Sequence, residues 1–211
     1  MIRCIAFDLD DLLIPTAPVF AAMWREHGVT ATRFRKFLRG AYRATLCGEA
    51  DLLDVLPAAL DALGFAGSAE DFAAAWMDAC PDCDPEIVAV VRELRARGVA
   101  CCAVSNQDAV RARCLDAMAP LPELFDQRFY SCRIGAAKPS RACFEAIAAA
   151  LDLPPETILL VDDRRDNVLA ARAVGWQSEH CTDAASLRAA LHAHLPETIG
   201  SRLPAGGGPG P

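Results

Sequence analysis

The chain has 211 residues, 53% of them hydrophobic, and a formal net charge of −7 at pH 7. This length predicts one or two domains with enough apolar content for a buried core. The acidic charge disfavours nucleic acid as a partner, and no apolar run is long enough to span a membrane. The first residues lead into a predicted strand rather than a secretory signal, so we expect a cytoplasmic protein.

The first predicted element is a short strand that runs directly into three carboxylates. Ile5 and Phe7 have the β-branched and aromatic character of a core strand. Asp8, Asp10 and Asp11, in contrast, are of a type that is seldom buried without a partner. We therefore expect these carboxylates at or just beyond the carboxyl end of the strand. In open α/β sheets, ligands bind at this edge.

Residues 15–84 are predicted to be helical throughout. Apolar residues recur at helical spacing in four stripes, which are separated mostly by glycines. The stripes consist of Val19, Phe20, Met23 and Trp24; Phe34, Phe37, Leu38 and Ala41; Leu52, Leu56, Ala59, Leu60 and Leu63; and Phe72, Ala75, Trp76 and Ala79. They predict four amphipathic helices packed as a small bundle. We expect the aromatic residues to form the core of this bundle rather than a substrate cage.

From Pro85 onward, predicted helices and strands alternate. The strands are expected at 99–104, near 129–131, at 157–161 and at 176–181. Strands separated by helices predict a parallel, doubly wound sheet, hence an α/β fold. The helical region is then an insert after the first strand, placed where a lid over the sheet edge would lie. The expected organisation is a core of residues 1–14 and 85–200, a helical domain of residues 15–84 and a flexible tail of residues 201–211.

The strand predicted at 157–161 also ends in carboxylates, Asp162 and Asp163. If it is a parallel neighbour of the first strand, these two residues converge with Asp8 and Asp10 in one crevice. The mutual repulsion of the carboxylates then calls for a divalent cation. Oxygen ligands without a nearby His or Cys point to Mg²⁺ rather than zinc.

Two more predicted segments supply groups suited to a phosphoryl group at the same edge. The Ser105 hydroxyl and the Asn106 amide can hold phosphoryl oxygens, and Lys138 can offset developing negative charge. Lys138 is one of only two lysines among 21 basic residues. A lysine in a chain that otherwise uses arginine suggests that this position requires a compact point charge. A carboxylate such as Asp8 can attack phosphorus, and a second one, Asp10, can move a proton.

Ten cysteines are scattered along the chain without the spacing of a disulfide framework. Free cysteines in a core behave as small hydrophobic residues. Five are expected on core faces: Cys4, Cys101, Cys102, Cys114 and Cys143. Cys80 and Cys83 form a lone Cys-x-x-Cys pair. We favour ordinary linker cysteines for this pair over a metal or redox site.

Four short motifs occur in an order that resembles the haloacid dehalogenase (HAD) superfamily. They are Asp8-Leu9-Asp10, Val104-Ser105-Asn106, Lys138-Pro139, and Val161-Asp162-Asp163 with Asp166-Asn167. The resemblance covers nearly all of residues 1–200, and the helical insert resembles the C1 cap of this superfamily. Residues 131–171 are similar to its small-molecule phosphatase branch and to the N-terminal domains of epoxide hydrolases. The resemblance implies a Rossmann-like core and a Mg²⁺-dependent phosphomonoesterase that acts on a small phosphorylated metabolite through a phosphoaspartyl intermediate.

The resemblance also implies catalytic and metal-binding roles. Asp8 would be the nucleophile and a Mg²⁺ ligand, and Asp10 would be the general acid and base, with its backbone carbonyl on the metal. Asp163 would be the main ligand from the last motif, supported by Asp162. Asn167 would reach the metal through water.

The remaining implied roles concern phosphate and substrate. Ser105 and Asn106 would bind the phosphate, and Lys138 would tie the phosphoryl group to the nucleophile. Substrate contacts from the cap are expected among Trp24, Arg25, Tyr42 and Arg43. The sequence leaves open whether the protein is a monomer or a homodimer.

Two residues depart from the pattern of the first motif, which usually continues with a small residue and then Thr or Val. Leu12 lacks a hydroxyl, and Asp11 adds a charge that would cost a nearby phosphate about 1–4 kcal/mol at ~4 Å. These departures leave open a catalytically weak or inactive HAD-like binding or regulatory module. A 2-haloacid dehalogenase is disfavoured, because it needs neither a proton from Asp10 nor a metal held by Asp163.

Overall fold

The computed structural model of the protein describes residues 1–195. At its centre is a parallel five-stranded sheet with the strand order β3-β2-β1-β4-β5. The strands are β1 (Cys4–Phe7), β2 (Ala100–Ser105), β3 (Gln127–Tyr130), β4 (Ile158–Asp162) and β5 (Gln177–His180). The predicted doubly wound α/β fold is thus confirmed, with β1 between β2 and β4. The predicted tail of residues 201–211 and the last five residues of the predicted core lie outside the described residues.

Twelve α-helices occur within residues 1–195, and the first five lie between β1 and α6. They are α1 (Ala17–His27), α2 (Ala31–Arg39), α3 (Leu52–Val55), α4 (Leu60–Leu63), α5 (Ala69–Asp78), α6 (Pro85–Ala96), α7 (Ala109–Ala117), α8 (Leu121–Leu124), α9 (Ser131–Ile134), α10 (Arg141–Leu151), α11 (Arg165–Ala173) and α12 (Ala184–His194). Two 3₁₀ segments span Ala41–Cys47 and Pro155–Thr157. Helices on both sides of the sheet complete the fold.

The centre of the sheet is buried on both faces because β1, β2 and β4 are apolar at nearly every position, whereas the outer strands β3 and β5 carry polar residues and are only partly buried. Successive side chains in a strand point to opposite faces. Ile5 and Phe7 pack with α6, α7, α8 and α12, whereas Cys4 and Ala6 pack with α10 and α11. The result is a three-layer core in which β1 is covered from both sides.

The helical region between β1 and α6 has its own apolar cluster. Phe34, Phe37, Phe72 and Trp76 contact one another there with ring centroids 4.9–6.2 Å apart, which confirms the prediction for these four aromatic residues. The prediction is wrong for Trp24 of the first stripe, whose side chain is exposed. The prediction of one helix over the third stripe is wrong. Residues 52–63 form two one-turn helices, α3 and α4, because Pro57 between them has no amide hydrogen to continue a helix.

All ten cysteines are free thiols. Four of the five expected in the core are buried, but Cys114 is exposed on α7, so that prediction is wrong. The apolar stripe of α7 passes through Ala112 and Leu115 instead, and Cys114 lies between them on the solvent side. Among residues 1–195, no helix is both long and apolar enough to cross a membrane.

Candidate active site

The carboxyl ends of β1, β2 and β4 bring the predicted site residues together. Phe7 pairs with Ala103 on one side and with Val161 on the other, so that Asp8 follows β1 next to the ends of both neighbours. The Asp8 amide continues the ladder by donating to the Val161 carbonyl at 3.0 Å. The expected convergence of Asp8 with the acidic end of β4 therefore follows from strand register.

The Lys138 ammonium is buried between the strand ends and uses all three of its hydrogens. It lies 3.0 Å from Asp8 Oδ1 and donates to Asp162 Oδ2 at 2.6 Å and to the Val104 carbonyl at 2.7 Å. Although burial disfavours its charged form, Asp8 and Asp162 raise the pKa of Lys138 above its ordinary value. The lysine therefore stays charged and links the nucleophile candidate to β4.

Asn106 holds the backbone of Lys138 in place. Its amide nitrogen donates to the Lys138 carbonyl at 2.7 Å, and its amide oxygen accepts from the Lys138 amide at 2.8 Å. One amide hydrogen of Asn106 is left for another acceptor. Ser105 lies beside it, buried, and its hydroxyl oxygen accepts from Gln107 Nε2 at 2.8 Å, which leaves the hydroxyl hydrogen to donate.

Three carboxylates form an acidic cluster beside Lys138. One oxygen each from Asp8, Asp162 and Asp163 lies within 4.8 Å of the others. Burial raises the pKa of Asp8 well above its ordinary value, against the opposing charge of Lys138. Burial also raises the pKa of Asp163 to about 6, with further contributions from Asp162 and Asp11. When all three carboxylates are ionised, they exceed the single ammonium by two negative charges, which matches a divalent cation.

Within this cluster, Asp162 is saturated with hydrogen bonds. Its Oδ1 accepts from the Arg164 amide and from Asn167 Nδ2, both at 2.9 Å, and its Oδ2 accepts from Lys138 at 2.6 Å and from Asn167 Nδ2 at 3.0 Å. A carboxylate has about four lone-pair sites, so little capacity is left. Asn167 Oδ1, by contrast, is buried without a partner among the described residues.

Asp10 is bound by two residues that belong to none of the four sequence motifs. Arg111 Nη2 lies 2.6 Å from Asp10 Oδ1, and Gln107 Nε2 donates to Asp10 Oδ2 at 3.0 Å. Although burial works against it, Asp10 raises the pKa of Arg111. The only sequence signal was position: Gln107 follows the Ser105-Asn106 motif directly, and Arg111 lies one helical turn further, in α7.

The helical region meets this site through Tyr42. Its hydroxyl donates to Asp108 Oδ2 at 2.8 Å, and both residues are buried. Of the other predicted substrate contacts, Trp24 and Arg43 are exposed, and Arg25 is paired with Glu26 at the surface. Tyr42 is thus the candidate that reaches the sheet edge, and it does so by contacting the residue that caps α7.

Asp11 and Leu12, which depart from the pattern of the first motif, lie in different environments. Asp11 has a left-handed backbone with φ 59°, which Asp tolerates better than most residues. Its carboxylate accepts from the Thr16 amide at 2.9 Å and from the Thr16 hydroxyl at 2.7 Å. Leu12 is buried in the sheet-side core. The Asp11 carboxylate is therefore engaged by Thr16, although its charge still reaches Asp163.

The chain is similar to known proteins both in sequence and in structure. A sequence profile of haloacid dehalogenase-like hydrolases matches residues 2–175. Sesquiterpene phosphatase astK from Aspergillus oryzae is 34% identical over 100 residues, covering 47% of this chain and 51% of that protein. Phosphatase MT3486 from Mycobacterium tuberculosis is 35% identical over 105 residues, covering 49% and 46%. The chain spans about half the length of these curated relatives.

Among solved structures, the chain is similar to bt-2542, a HAD family enzyme from Bacteroides thetaiotaomicron in complex with magnesium and inorganic phosphate. The TM-score is 0.71 at 17% sequence identity, and the match covers 85% of this chain and 94% of that chain. At this identity the likeness shows the fold alone.

Proposed function

Because the chain belongs to the haloacid dehalogenase-like hydrolase family, we propose that it is a Mg²⁺-dependent phosphomonoesterase. Its substrate is a small phosphorylated metabolite, and the reaction passes through a phosphoaspartyl intermediate on Asp8. One observation carries this proposal. The buried Asp8 carboxylate contacts the Lys138 ammonium and belongs to an acidic cluster whose three carboxylates, when ionised, exceed that ammonium by two negative charges.

The donor set fits Mg²⁺, which prefers hard oxygen ligands. The carboxylates of Asp8 and Asp163 and the backbone carbonyl of Asp10 would hold the ion. Asp162 would act mainly by fixing Lys138, because its own lone pairs are already used. The unpartnered Asn167 Oδ1 supports this assignment, since a water of the hydration shell would satisfy it. When bound, Mg²⁺ would offset the negative charge of the phosphoryl group.

Each of the site residues has its own role in the two steps of the proposed reaction. Asp8 forms a bond to phosphorus as the bond to the leaving oxygen breaks, and Asp10 gives that oxygen its proton. Water then attacks the phosphoaspartate at phosphorus while Asp10 takes a proton back, which releases inorganic phosphate and regenerates Asp8. Ser105 and Asn106 hold phosphoryl oxygens with their remaining hydrogens, and Lys138 offsets the charge that develops.

The helical region of residues 15–84 would act as the cap that covers this edge and selects the substrate. The hydrogen bond from Tyr42 to Asp108 supports this role, because it joins the helical region to the loop after β2. One relative is named a sesquiterpene phosphatase. A sesquiterpenyl monophosphate is therefore a substrate to test beside sugar and nucleotide monophosphates.

Two alternatives are less well supported. A 2-haloacid dehalogenase has no use for a proton from Asp10 or for a metal, whereas here Asp10 is held by two donors and Asp163 belongs to an acidic cluster. An inactive module was suggested by Asp11, but the hydrogen bonds from Thr16 to its carboxylate reduce that concern.

The proposal predicts Mg²⁺-dependent release of inorganic phosphate from p-nitrophenyl phosphate or from a member of that panel. Asp8→Asn should lower turnover on the order of 10³-fold or more, because the amide is a poor nucleophile. Asp82→Asn, the same change at an exposed side chain, should leave turnover unchanged. Absence of metal-dependent turnover with every substrate would rule out the phosphatase and favour a binding module.

A further inference from the structure

Asp10 is held by a buried arginine that belongs to none of the four sequence motifs. We propose that Arg111 is a positioning residue for Asp10, one that fixes its carboxylate toward the oxygen of the leaving alcohol. This inference rests on the proposed phosphatase function, in which Asp10 protonates that oxygen. Arg111 acts through Asp10 and does not itself contact the reacting atoms.

The geometry constrains both oxygens of the Asp10 carboxylate. Arg111 Nη2 lies 2.6 Å from Oδ1, and Gln107 Nε2 donates to Oδ2 at 3.0 Å. Since each oxygen has its own donor, the plane of the carboxylate is fixed. The Arg111 side chain is 5% exposed, whereas that of Asp10 is 32% exposed. The arginine therefore lies behind the carboxylate, which stays open to the crevice.

Both donors are themselves anchored. The Gln107 amide donates to Ser131 Oγ at 3.0 Å, and its second side-chain hydrogen goes to Ser105 at 2.8 Å. The backbone amide of Arg111 donates at 3.1 Å to Oδ1 of Asp108, the N-cap residue of α7. The Asp10 carboxylate is thus tied through these donors to the end of β2 and the start of α7.

Stability alone does not account for Arg111. Burying a guanidinium carries a large desolvation penalty, and well-packed apolar residues often replace buried ion pairs without loss of stability. The penalty here is only partly offset, because Arg111 Nε is buried without a partner among the described residues. The Lys138 ammonium, meanwhile, serves Asp8 and Asp162. The proton-transfer candidate and the nucleophile candidate therefore have separate cations.

The affected step is the first half of the reaction. The bond from Asp8 to phosphorus forms, the bond from phosphorus to the leaving oxygen breaks, and the proton of Asp10 passes to that oxygen. A misdirected Asp10 would slow cleavage most when the leaving alcohol is a poor leaving group. An ester whose leaving group departs readily without a proton would be affected least.

The test is a series of substituted phenyl phosphates, from p-nitrophenyl to p-methoxyphenyl, which share a shape but differ in leaving-group pKa. The value of kcat/KM reports cleavage of the ester, and it is measured with Mg²⁺ for wild type, Arg111→Met and Arg111→Lys. Arg113→Met is the matched control, because Arg113 is exposed on the same helix.

We expect Arg111→Met to lower kcat/KM about 3-fold to 10-fold for the p-nitrophenyl ester and about 100-fold for the p-methoxyphenyl ester. The dependence on leaving-group pKa thus becomes steeper than in wild type. Arg111→Lys should recover part of the loss, and Arg113→Met should match wild type.

A loss by the same factor for every ester would mean that Arg111 is only structural and would overturn the proposal, as would an unchanged slope. A wild-type protein that hydrolyses neither these esters nor any monophosphate of the panel would instead reject the phosphatase function, and the role of Arg111 with it. The two failures are therefore distinguishable by the wild-type activity.

Discussion

At the scale of single residues, Asp163 differs from Asp8 and Asp162, the other carboxylates of the acidic cluster, because these two are ion-paired with Lys138. Among the described residues, Asp162 shares the Lys138 ammonium, but no ion pair includes Asp163. Burial raises the pKa of Asp163 to about 6, and the charges of Asp162 and Asp11 add to this rise. The ionisation of Asp163 should therefore respond to pH near 6 and to an added cation.

The metal-free protein should lose stability as the pH rises through the titration of Asp163. The unfolded pKa of an Asp is about 3.9, and the folded value is about 6. The folded state therefore binds more protons between these values, and this contribution is present below about pH 4 and lost above about pH 6. After allowance for solvent screening it is worth about 1–2 kcal/mol.

The measurement is denaturant unfolding in the presence of a chelator, for wild type and Asp163→Asn, across this pH range. The stability of wild type relative to Asp163→Asn should fall as the pH rises, and Asp11→Asn should shift the change to lower pH. Added Mg²⁺ should stabilise wild type more at neutral than at acidic pH, since it binds the ionised carboxylate. A stability difference that is independent of pH would contradict the assignment.

Contacts between side chains that lie far apart in the sequence were the part of the site that the sequence predicted least. The motifs predicted Asp8, Lys138 and Asp163, because each follows an apolar strand or a recognisable loop. Nothing in the sequence pairs Asp10 with Arg111, which is 101 residues away and lies on a helix face. Such a contact depends on how α7 packs, and hydrophobic periodicity does not specify it.

At the scale of elements, α7 and the loop before it join the sheet to the helical region. Asp108 caps α7 by accepting from the Val110 and Arg111 amides, and its other oxygen accepts from Tyr42. A second close approach lies at Gly48, where an added Cβ would be 2.7 Å from the Cys132 carbonyl oxygen. The 3₁₀ segment and Gly48 after it therefore form one contact between the helical region and the core, and α5 forms another by packing against α7.

Tyr42→Phe should weaken this junction. It leaves Asp108 Oδ2 buried without its donor, which costs about 1–3 kcal/mol. The measurement is the free energy of unfolding in denaturant. Tyr130→Phe is the matched control, because the buried Tyr130 hydroxyl has no partner among the described residues and its loss should cost less than about 0.5 kcal/mol. Equal losses in the two variants would show that the contact between Tyr42 and Asp108 contributes nothing.

The pattern of elements was largely predictable because it depends on local periodicity. Apolar runs predicted β1, β2 and β4, and stripes at helical spacing predicted most of the long helices. The errors lie where a local feature interrupts the period. Pro57 divides one stripe, and α8 and α9 have four residues each, too few to produce a stripe. The burial predicted for Cys114 is wrong because the buried face of α7 contains Ala112 and Leu115, and Cys114 lies on a different face of the helix.

At the scale of the whole molecule, the strand order determines where the chemistry lies. β1 is central, and its parallel neighbours β2 and β4 end at the same edge. Alternating strands and helices predict that the strands share one carboxyl edge, and the position of β4 beside β1 then brings the acidic ends together. The strand order itself and the docking of the helical region are properties of long-range packing, which no stretch of sequence encodes alone.

The central claim is that Asp8 carries the phosphoryl group during turnover, and acid quenching tests it most directly. The protein is mixed with Mg²⁺ and its best substrate from the panel, quenched in acid and digested, and the peptide containing Asp8 is examined by mass spectrometry. We predict that this peptide gains the mass of one phosphoryl group in wild type and does not in Asp8→Asn. Rapid phosphate release in wild type with the phosphoryl group on another residue, or an equally active Asp8→Asn, would contradict the account.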